Sequence, residues 1–525
     1  MIPRDDALQR TGTPGSPETA GHARRRRGLR EWLRAEPVAA RLVFTVWLVY
    51  GVHFASDVAR ETWLAMALGG HLSIRVDAYR GLHPDLFEIE GRGTYINNNP
   101  GASILGAVPY AIARPFMEVL FRVRPDLRAP KPPTVYDDPR PNRNPFLNAA
   151  RARGLDIELG LTAASIHAGL MVPLGAASAL LVFLFLRRTL GNERHALWLS
   201  LLWAFGTPIF FRSAFLNQNV LTAHAVLLAY VLATSLAGAE GREADALRRV
   251  GWMGFLMGFA ILCDYSGASL ALVFGLWVAW MGWRAGGARG GLSWAMRFTL
   301  GAAPPILVLL VYQWSAFGNP FLPAQTYMPD TPFSVSGWHG FVFPDPELFL
   351  RNLFDPRYGL FLFSPVLAAA LAAPFLRDRP NGPSRELLVL IFGASAALYL
   401  FVSSVQFAFL QWNTGVRYIV PAVPLLFMAL VPVLLRLPRW ALLSLVVPTI
   451  AVSWSVAMTR DAVPSALARV FLRGPELPWL TVLEKTSAGY APFLADGASP
   501  VGLFLLFGVI LWLVWRPAGR AVSGP

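Results

Sequence analysis

Asp57 and Glu61 stand just past the first long apolar stretch of the chain, with Arg60 between them. If a helix continues there, Glu61 lies one turn beyond Asp57 on the same face and Arg60 is close to both. A carboxylate fixed at the rim of a membrane helix can take a proton from an alcohol or amine nucleophile, which is general-base chemistry. The same spacing also suits two residues that merely end an apolar stretch and face solvent. The surrounding stretch, residues 56–101, adds Asp77, Asp85, Glu88, Glu90, His71 and His83 to a chain that is otherwise mostly apolar. It closes on GRGTYINNNPG, where Tyr95, Asn97, Asn98 and Asn99 stand in turn-forming sequence leading into an apolar segment. Ligand binding and a structural turn both fit these residues.

Two arginine–tyrosine pairs follow at the edges of later apolar segments, Arg357–Tyr358 in DPRYG and Arg417–Tyr418 in WNTGVRY. Arginine suits phosphate, because its guanidinium forms a two-pronged contact and keeps its charge. Snorkelling to lipid headgroups is the alternative for both pairs. The segment FRSAFLNQNVLTAH places Asn217, Gln218 and Asn219 at the end of a helix pair, with His224 about a turn inside the next apolar segment. A single histidine in that position serves packing or ligand binding. The chain has no HExxH or other metal-ligand spacing. A nucleotide-binding glycine loop and a GxSxG nucleophile elbow are also missing, which argues against a soluble nucleotide donor and gives no support to a serine nucleophile.

The elements that must position these residues are membrane helices. Only 15% of the 525 residues are charged, where soluble domains carry about 25%, and apolar runs of spanning length recur from residue 38 to 515. Twelve spans are expected, at 38–55, 159–186, 195–211, 220–237, 250–264, 267–283, 297–316, 359–376, 386–404, 419–436, 440–457 and 500–515, with 250–283 a hairpin tipped by Asp264–Gly267. The formal charge of +14 is nearly all arginine, and the arginines cluster at the ends of apolar segments. That pattern is explained by orientation in a membrane and not by nucleic acid. Arg187, Arg188, Arg248, Arg249, Arg284, Arg377, Arg385, Arg436, Arg439 and Arg516 then lie inside, together with both termini. Residues 1–37 form a basic, disordered cytoplasmic tail and 516–525 a second one, and the segment 38–55 reads as an uncleaved signal anchor. The outer face carries a large first loop, 56–158, and the segments 317–358, 405–418 and 458–499. Counting 101–121 as a span would invert every later arginine cluster, so it is expected to lie along the outer leaflet. Cys263 is the single cysteine, so no internal disulfide forms.

The order of motifs resembles that of the GT-C superfamily of membrane glycosyltransferases, and most of all its bacterial protein O-mannosyltransferase and aminoarabinose transferase branch. The resemblance covers nearly all of 38–436 and rests on Asp57 with Glu61, TYINNNPGASILGAVPY, AFGTPIFFRSAF, SAFGNPFLPAQTY, LFDPRYGLFLFSPVL and QWNTGVRYIVPAVPLL. It implies an all-α, GT-C-like helical bundle whose first outer loop carries membrane-surface helices. It implies a donor sugar on a polyprenyl phosphate, inverting transfer to an envelope acceptor (lipid, glycan or protein), and a place in the bacterial inner membrane. Asp57 would be the base or acceptor-binding carboxylate, with Glu61 following it. Arg357 and Arg417, with Tyr358 and Tyr418, would hold the donor phosphate, and Tyr95, Asn97, Asn98, Asn99, Asn217 and His224 would line the substrate loop. No cofactor is required in principle, because arginine can replace a metal, although some relatives use a divalent one. The chain departs from the family where Asn98–Asn99–Pro100 stands in place of a lysine and a proline pair, so the lysine's donor contact must come from elsewhere. A polytopic transporter or lipid flippase is the rival from another class. It would call for buried charges within the spans, and these are scarce. A non-catalytic scaffold of the same fold is the third reading.

Overall fold

The computed structural model describes residues 36–55, 60–136, 143–237, 243–377, 381–412, 415–487, 492–495, 497 and 499–516. Asp57 falls in 56–59 and therefore lies outside the described residues, as do the disordered-tail reading of residues 1–35 and the tail beyond 516.

The chain is an all-α, multi-pass membrane protein with one small β-hairpin. The first helices are α1 (Pro37–Val52), α2 (Arg60–His71), α3 (Gly101–Val123), α4 (Arg143–Ala152) and α5 (Asp156–Leu190), with strands β1 (Leu86–Ile89) and β2 (Gly93–Ile96) between α2 and α3. Then come α6 (Glu193–Gly206), α7 (Gln218–Ala237), α8 (Glu243–Cys263), α9 (Gly267–Phe317), α10 (Pro346–Phe354), α11 (Arg385–Ser403), α12 (Val420–Leu434) and α13 (Arg439–Thr459). The last are α14 (Val463–Arg473), α15 (Pro478–Thr486) and α16 (Val501–Trp515). Seven helices are long and apolar enough to cross a membrane, namely α3, α5, α7, α8, α9, α11 and α13. The apolar helices α1, Pro365–Phe375, α12 and α16 have 10–17 residues, short of the roughly 20 that a bilayer core asks for.

The sequence expected two spans where α9 is one helical run of 51 residues. The run is not straight: Gly286 and Gly287 leave helical geometry, and Gly287 has φ 61°, a value that glycine adopts without strain. The halves fold back on each other, with Gly282 against Gly290 and Trp294, and Gly275 against Phe298. α8 packs along the second half through a row of small residues, and a Cβ on Gly254 would come within 2.0 Å of the Phe298 carbonyl oxygen. Close backbone approach of this kind is how membrane helices pack where there is no water to expel. The expected turn at Asp264–Gly267 joins α8 to α9, with the Asp264 carboxylate accepting from the Ser266 N–H at 2.9 Å.

α1 sets the two ends of the bundle. Glu36 precedes it and pairs with Arg187 at the end of α5. The far end of α1 leads through Ala55 to α2 and the first loop. α2 packs against α3, where Gly69 meets the Ala107 backbone and Tyr110. α3 is amphipathic, burying Gly106, Tyr110, Met117 and Phe121 while exposing Val108, Ile112, Phe116, Val119 and Val123. Its exposed stripe recurs at helical spacing, as expected for a lipid-facing surface. Its length and apolar content also meet the requirements of a span, so labelling must decide between the two placements. With Cys263 replaced, Asp126→Cys should react with an impermeant thiol reagent from outside the cell, and Arg248→Cys only after permeabilisation. Labelling of residue 126 from the inside would make α3 a transmembrane crossing.

Helix starts follow local chemistry. The side chains of Asn192, Asp345 and Ser384 accept from the N–H groups of His195, Glu347 and Leu387, and Asn217 caps α7 through Asn219 and Val220. The β-hairpin departs from the helical expectation for the first loop. Phe87 pairs with Tyr95 and Glu88 with Thr94, and Gly91 turns the chain at φ 70°. Two strands alone are marginal in water. Here Phe87, Tyr95 and Ile96 are buried with Leu64 and Ala67 of α2 and Tyr312 and Phe317 of α9.

Candidate functional site

The first turn of α2 carries Arg60 and Glu61, both buried, at 8% and 3% exposure. The Arg60 guanidinium bonds directly to the Asp85 carboxylate and lies 3.4 Å from Glu61 Oε1. Asp85 sits just before β1, where its N–H donates to His83 Nδ1 at 3.0 Å. His83 is 2% exposed, and its Nε2 lies 2.6 Å from the guanidinium of Arg143, the first residue of α4. Three parts of the first loop thus meet in one cluster of charges.

Arg417, from the other end of the sequence, acts on the same carboxylate through its charge. Burial alone would raise the Asp85 carboxyl, but Arg60, His83, Arg143 and Arg417 outweigh it and hold the group well below the usual carboxylate range. Burial would likewise lower Arg60, yet Glu61, Asp85 and the Tyr418 phenol raise it above its ordinary value. The Arg417 guanidinium lies 4.9 Å from the centre of the Tyr418 ring and, among the described residues, forms no direct ion pair. Its backbone is fixed instead: its carbonyl accepts from Asn219 Nδ2 at 3.0 Å, and its N–H donates to Gln411 Oε1 at 3.4 Å. Gln411 in turn donates to Asn352 Oδ1 at 2.6 Å, tying this segment to α10.

The second arginine–tyrosine pair is placed differently. Arg357 sends both prongs of its guanidinium to Asp355, each at 3.2 Å, so its charge is already balanced. Tyr358 is buried, with its phenol close to the Arg351 guanidinium. The two pairs, alike in sequence, therefore differ in what they offer a ligand.

Glu61 does not face solvent. Its carboxylate accepts from Asn98 Nδ2 at 2.5 Å, and its backbone carbonyl accepts from Ser103 Oγ at 2.9 Å. Asn99 donates to the Ile261 carbonyl at 2.7 Å, while the Asn97 carbonyl accepts from Gln325 Nε2 at 2.9 Å. The asparagine run thus ties the first loop to α2, to the end of α8 and to the segment after α9. Gly101 completes the seam, since a Cβ there would lie 2.7 Å from the Leu262 carbonyl oxygen. The Tyr95 hydroxyl donates to the Arg92 carbonyl at 3.0 Å. Asn217 acts as the cap of α7, and His224 is buried in that helix with neither ring nitrogen partnered among the described residues.

A cavity of about 370 Å³ lies beside Phe54, two residues before the 56–59 stretch. Its walls are mostly apolar and include Leu147, Ile157, Met458, Trp479 and Val482. Thr459, Arg460, Arg469 and the carboxylates of Asp156 and Glu476 give it polar lining. Among the described residues, no three His, Cys, Asp or Glu side chains gather in a way that could hold a metal ion.

Sequence reasoning named Glu61, Arg417 and Tyr418 and gave no role to Arg60, His83, Asp85 or Arg143. The available signal was the density of polar residues in 56–101, which marked the region without saying which of them meet. No family model matches this chain, and no curated protein or solved structure is similar enough to count as a match.

Proposed function

We propose that this protein is a membrane glycosyltransferase that moves a sugar from a polyprenyl-phosphate donor to an acceptor of the cell envelope, with GT-C-like architecture. The observation that carries the reading is Arg417, a half-buried cation with no direct counter-ion among the described residues, whose charge acts on Asp85 of the first-loop cluster. A half-buried cation without a direct counter-ion among the described residues is suited to an anionic group that comes and goes. The apolar cavity next to Phe54 supports a substrate with a lipid part.

In this mechanism the donor's prenyl chain stays in lipid and its phosphate docks on Arg417, with Tyr418 alongside. Asp57 takes the proton of the acceptor hydroxyl or amine as that atom forms its bond to the anomeric carbon. The bond from the anomeric carbon to the phosphate oxygen breaks on the opposite side, so the configuration inverts. The departing lipid phosphate carries away the electron pair, and Arg417 stabilises the charge that develops there. Arg60 and Asp85 position Glu61 and the start of α2, which follows Asp57 directly. This chemistry calls on no metal, and a divalent ion on the donor phosphate is compatible with it. The proposal places the protein in a bacterial inner membrane with both termini in the cytoplasm and the site on the outer face.

Donor binding tests it. Arg417→Ala should weaken binding of an undecaprenyl-phosphate-linked sugar by roughly 10- to 100-fold, the scale of losing a charge-assisted contact worth about 1.5–3 kcal/mol. Arg357→Ala should change binding far less, since that side chain is committed to Asp355. Unchanged affinity in Arg417→Ala would return the residue to a lipid-headgroup contact.

A further inference from the structure

The cavity beside Phe54 is bordered by residues that keep it open. Its wall takes Gly160, Ala163 and Ala164 from α5 and Ala150 from α4. Gly160 stands inside a helix, where glycine is a poor choice, and a Cβ built on it meets nothing within 4 Å. A larger side chain would enter the space and fill it. From α15 the wall takes Trp479, Val482, Leu483 and Thr486, at the spacing of one helix face. That face of α15 thus lies on a void, and of the helix's residues only Thr486 is buried. Side-chain bonds tie α15 down, from Trp479 Nε1 to the Val52 carbonyl at 2.9 Å and from Thr134 Oγ1 to the Lys485 carbonyl at 3.1 Å.

The polar groups of the wall are already engaged. The hydroxyls of Thr459, Thr481 and Thr486 donate back to the carbonyls of Ser455, Leu477 and Val482, at 2.9, 3.2 and 2.7 Å. Asp156 accepts from Lys131 at 2.9 Å and from Arg151 at 3.0 Å, and Glu476 pairs with Arg469 at 2.5 Å. Arg460 lies over the Phe215 ring, 5.3 Å from its centre. A water needs several polar partners to stay in such a space, and an apolar cavity stays dry until an apolar molecule enters it. Protein interiors hold few voids larger than a water molecule, so one of about 370 Å³ is room kept for an occupant. With the polar groups engaged, hydrocarbon is what the space accepts. At roughly 30 Å³ for each methylene-sized unit, about a dozen carbons fit. The bilayer around the helices supplies such chains.

We infer that this cavity binds a single aliphatic chain, drawn from a lipid of the surrounding bilayer and enclosed by α5 and α15 without a polar contact. The inference goes beyond the transfer reading. It rests on that reading only for which lipid brings the chain, an ordinary acyl lipid or the prenyl-linked donor.

Photolabelling of the full chain in nanodiscs tests it, with a diazirine-bearing hexadecanol as the uncharged probe. Label should appear in 157–164 and 479–483 above its level on the exposed stripe of α3, which reports ordinary lipid contact. Excess unlabelled hexadecanol should remove it. Gly160→Leu should cut the cavity label about fivefold or more, the effect of about one methylene denied burial, while melting no lower than the wild type. Gly51→Leu, which adds the same atoms at an exposed position of α1, should keep the label. If Gly160→Leu fails to melt cooperatively, Val482→Phe carries the same expectation. Competition by a phosphatidylglycerol and by undecaprenyl phosphate tells the two sources apart, and displacement by either supports the site. Label no denser in the cavity than on α3 would overturn the inference, as would an undiminished signal in a folded, filled variant. A labelled cavity in a protein that transfers no lipid-linked sugar would instead overturn the transferase reading and leave the chain site standing.

Discussion

Asp85→Asn should destabilise the folded protein by about 1.5–3 kcal/mol at pH 7, the scale of a hydrogen bond to a charged group, because Asp85 is half-buried beside the buried Arg60. The sign follows from the charges around Asp85. Its carboxyl is held below the usual range despite burial, by Arg60 first and then by His83, Arg143 and Arg417. A depressed folded-state pKa means stability that is fully present above the unfolded value, about 4, and lost as pH falls from there toward the folded value. The wild type and the variant should therefore differ most at pH 7, differ by the same amount down to about pH 5, and converge below about pH 4. Melting of both proteins in one detergent across pH 7 to 3 reads this directly. A gap that persists unchanged at pH 3 would mean that Asp85 contributes through packing and not through charge. The substitution preserves the size of the side chain but leaves Arg60 with Glu61 alone, at 3.4 Å and in poorer geometry than its bond to Asp85.

How much of this was legible in the sequence depends on the range of the interaction. The membrane helices were, because apolar content over about 20 residues is a local property. The α8–α9 turn was legible for the same reason, since Asp264–Gly267 interrupts two apolar runs. The β-hairpin was not read, although FEIEGRGTYI alternates apolar and polar residues around a glycine turn. Its strands have four residues each, too few to outweigh the surrounding helical signal, and they are held by burial against Phe317, far along the chain. The two arginine–tyrosine pairs show the limit most clearly. Each is followed by an apolar run, and the one local difference, the Asp355 two residues before Arg357, does not by itself say whether the two side chains pair. What separates them is Asp355, which folds its carboxylate onto Arg357, whereas Arg417 has no such partner among the described residues and acts on Asp85 only through its charge. The role of Asn98 was hidden likewise, since its partner Glu61 is a residue of a different element.

Glu61 now separates from Asp57 as a catalytic candidate, and the second large expected effect follows from the difference. A general base needs a lone pair free to face the acceptor's proton. The Glu61 carboxylate is 4% exposed and already engaged by Arg60 and Asn98, so it holds the start of α2 in place and is poorly disposed to take a proton from an incoming group. Asp57 precedes it in the 56–59 stretch, between Ala55, whose N–H bonds to the Ala214 carbonyl at 2.9 Å, and Arg60. The two described residues that flank it are both held in place, Ala55 by Ala214 and Arg60 by Asp85. Asp57→Asn should lower turnover by roughly 100-fold or more, the scale of general acid–base catalysis, with donor affinity and melting temperature near wild type. The amide keeps the shape and one acceptor oxygen but takes no proton at neutral pH. Glu61→Gln should show the opposite balance: a clear loss of thermal stability, because Arg60 loses one of its two carboxylates, with turnover reduced by about tenfold at most. Transfer from an undecaprenyl-phosphate-linked sugar, measured alongside melting for the wild type and both variants, separates the roles. Abolished turnover in a stable Glu61→Gln with an active Asp57→Asn would move the base from Asp57 to Glu61, in the first turn of α2. Normal turnover in both would remove catalysis from this loop altogether, and the charge cluster of Arg60, Asp85 and Arg143 would then stand as architecture.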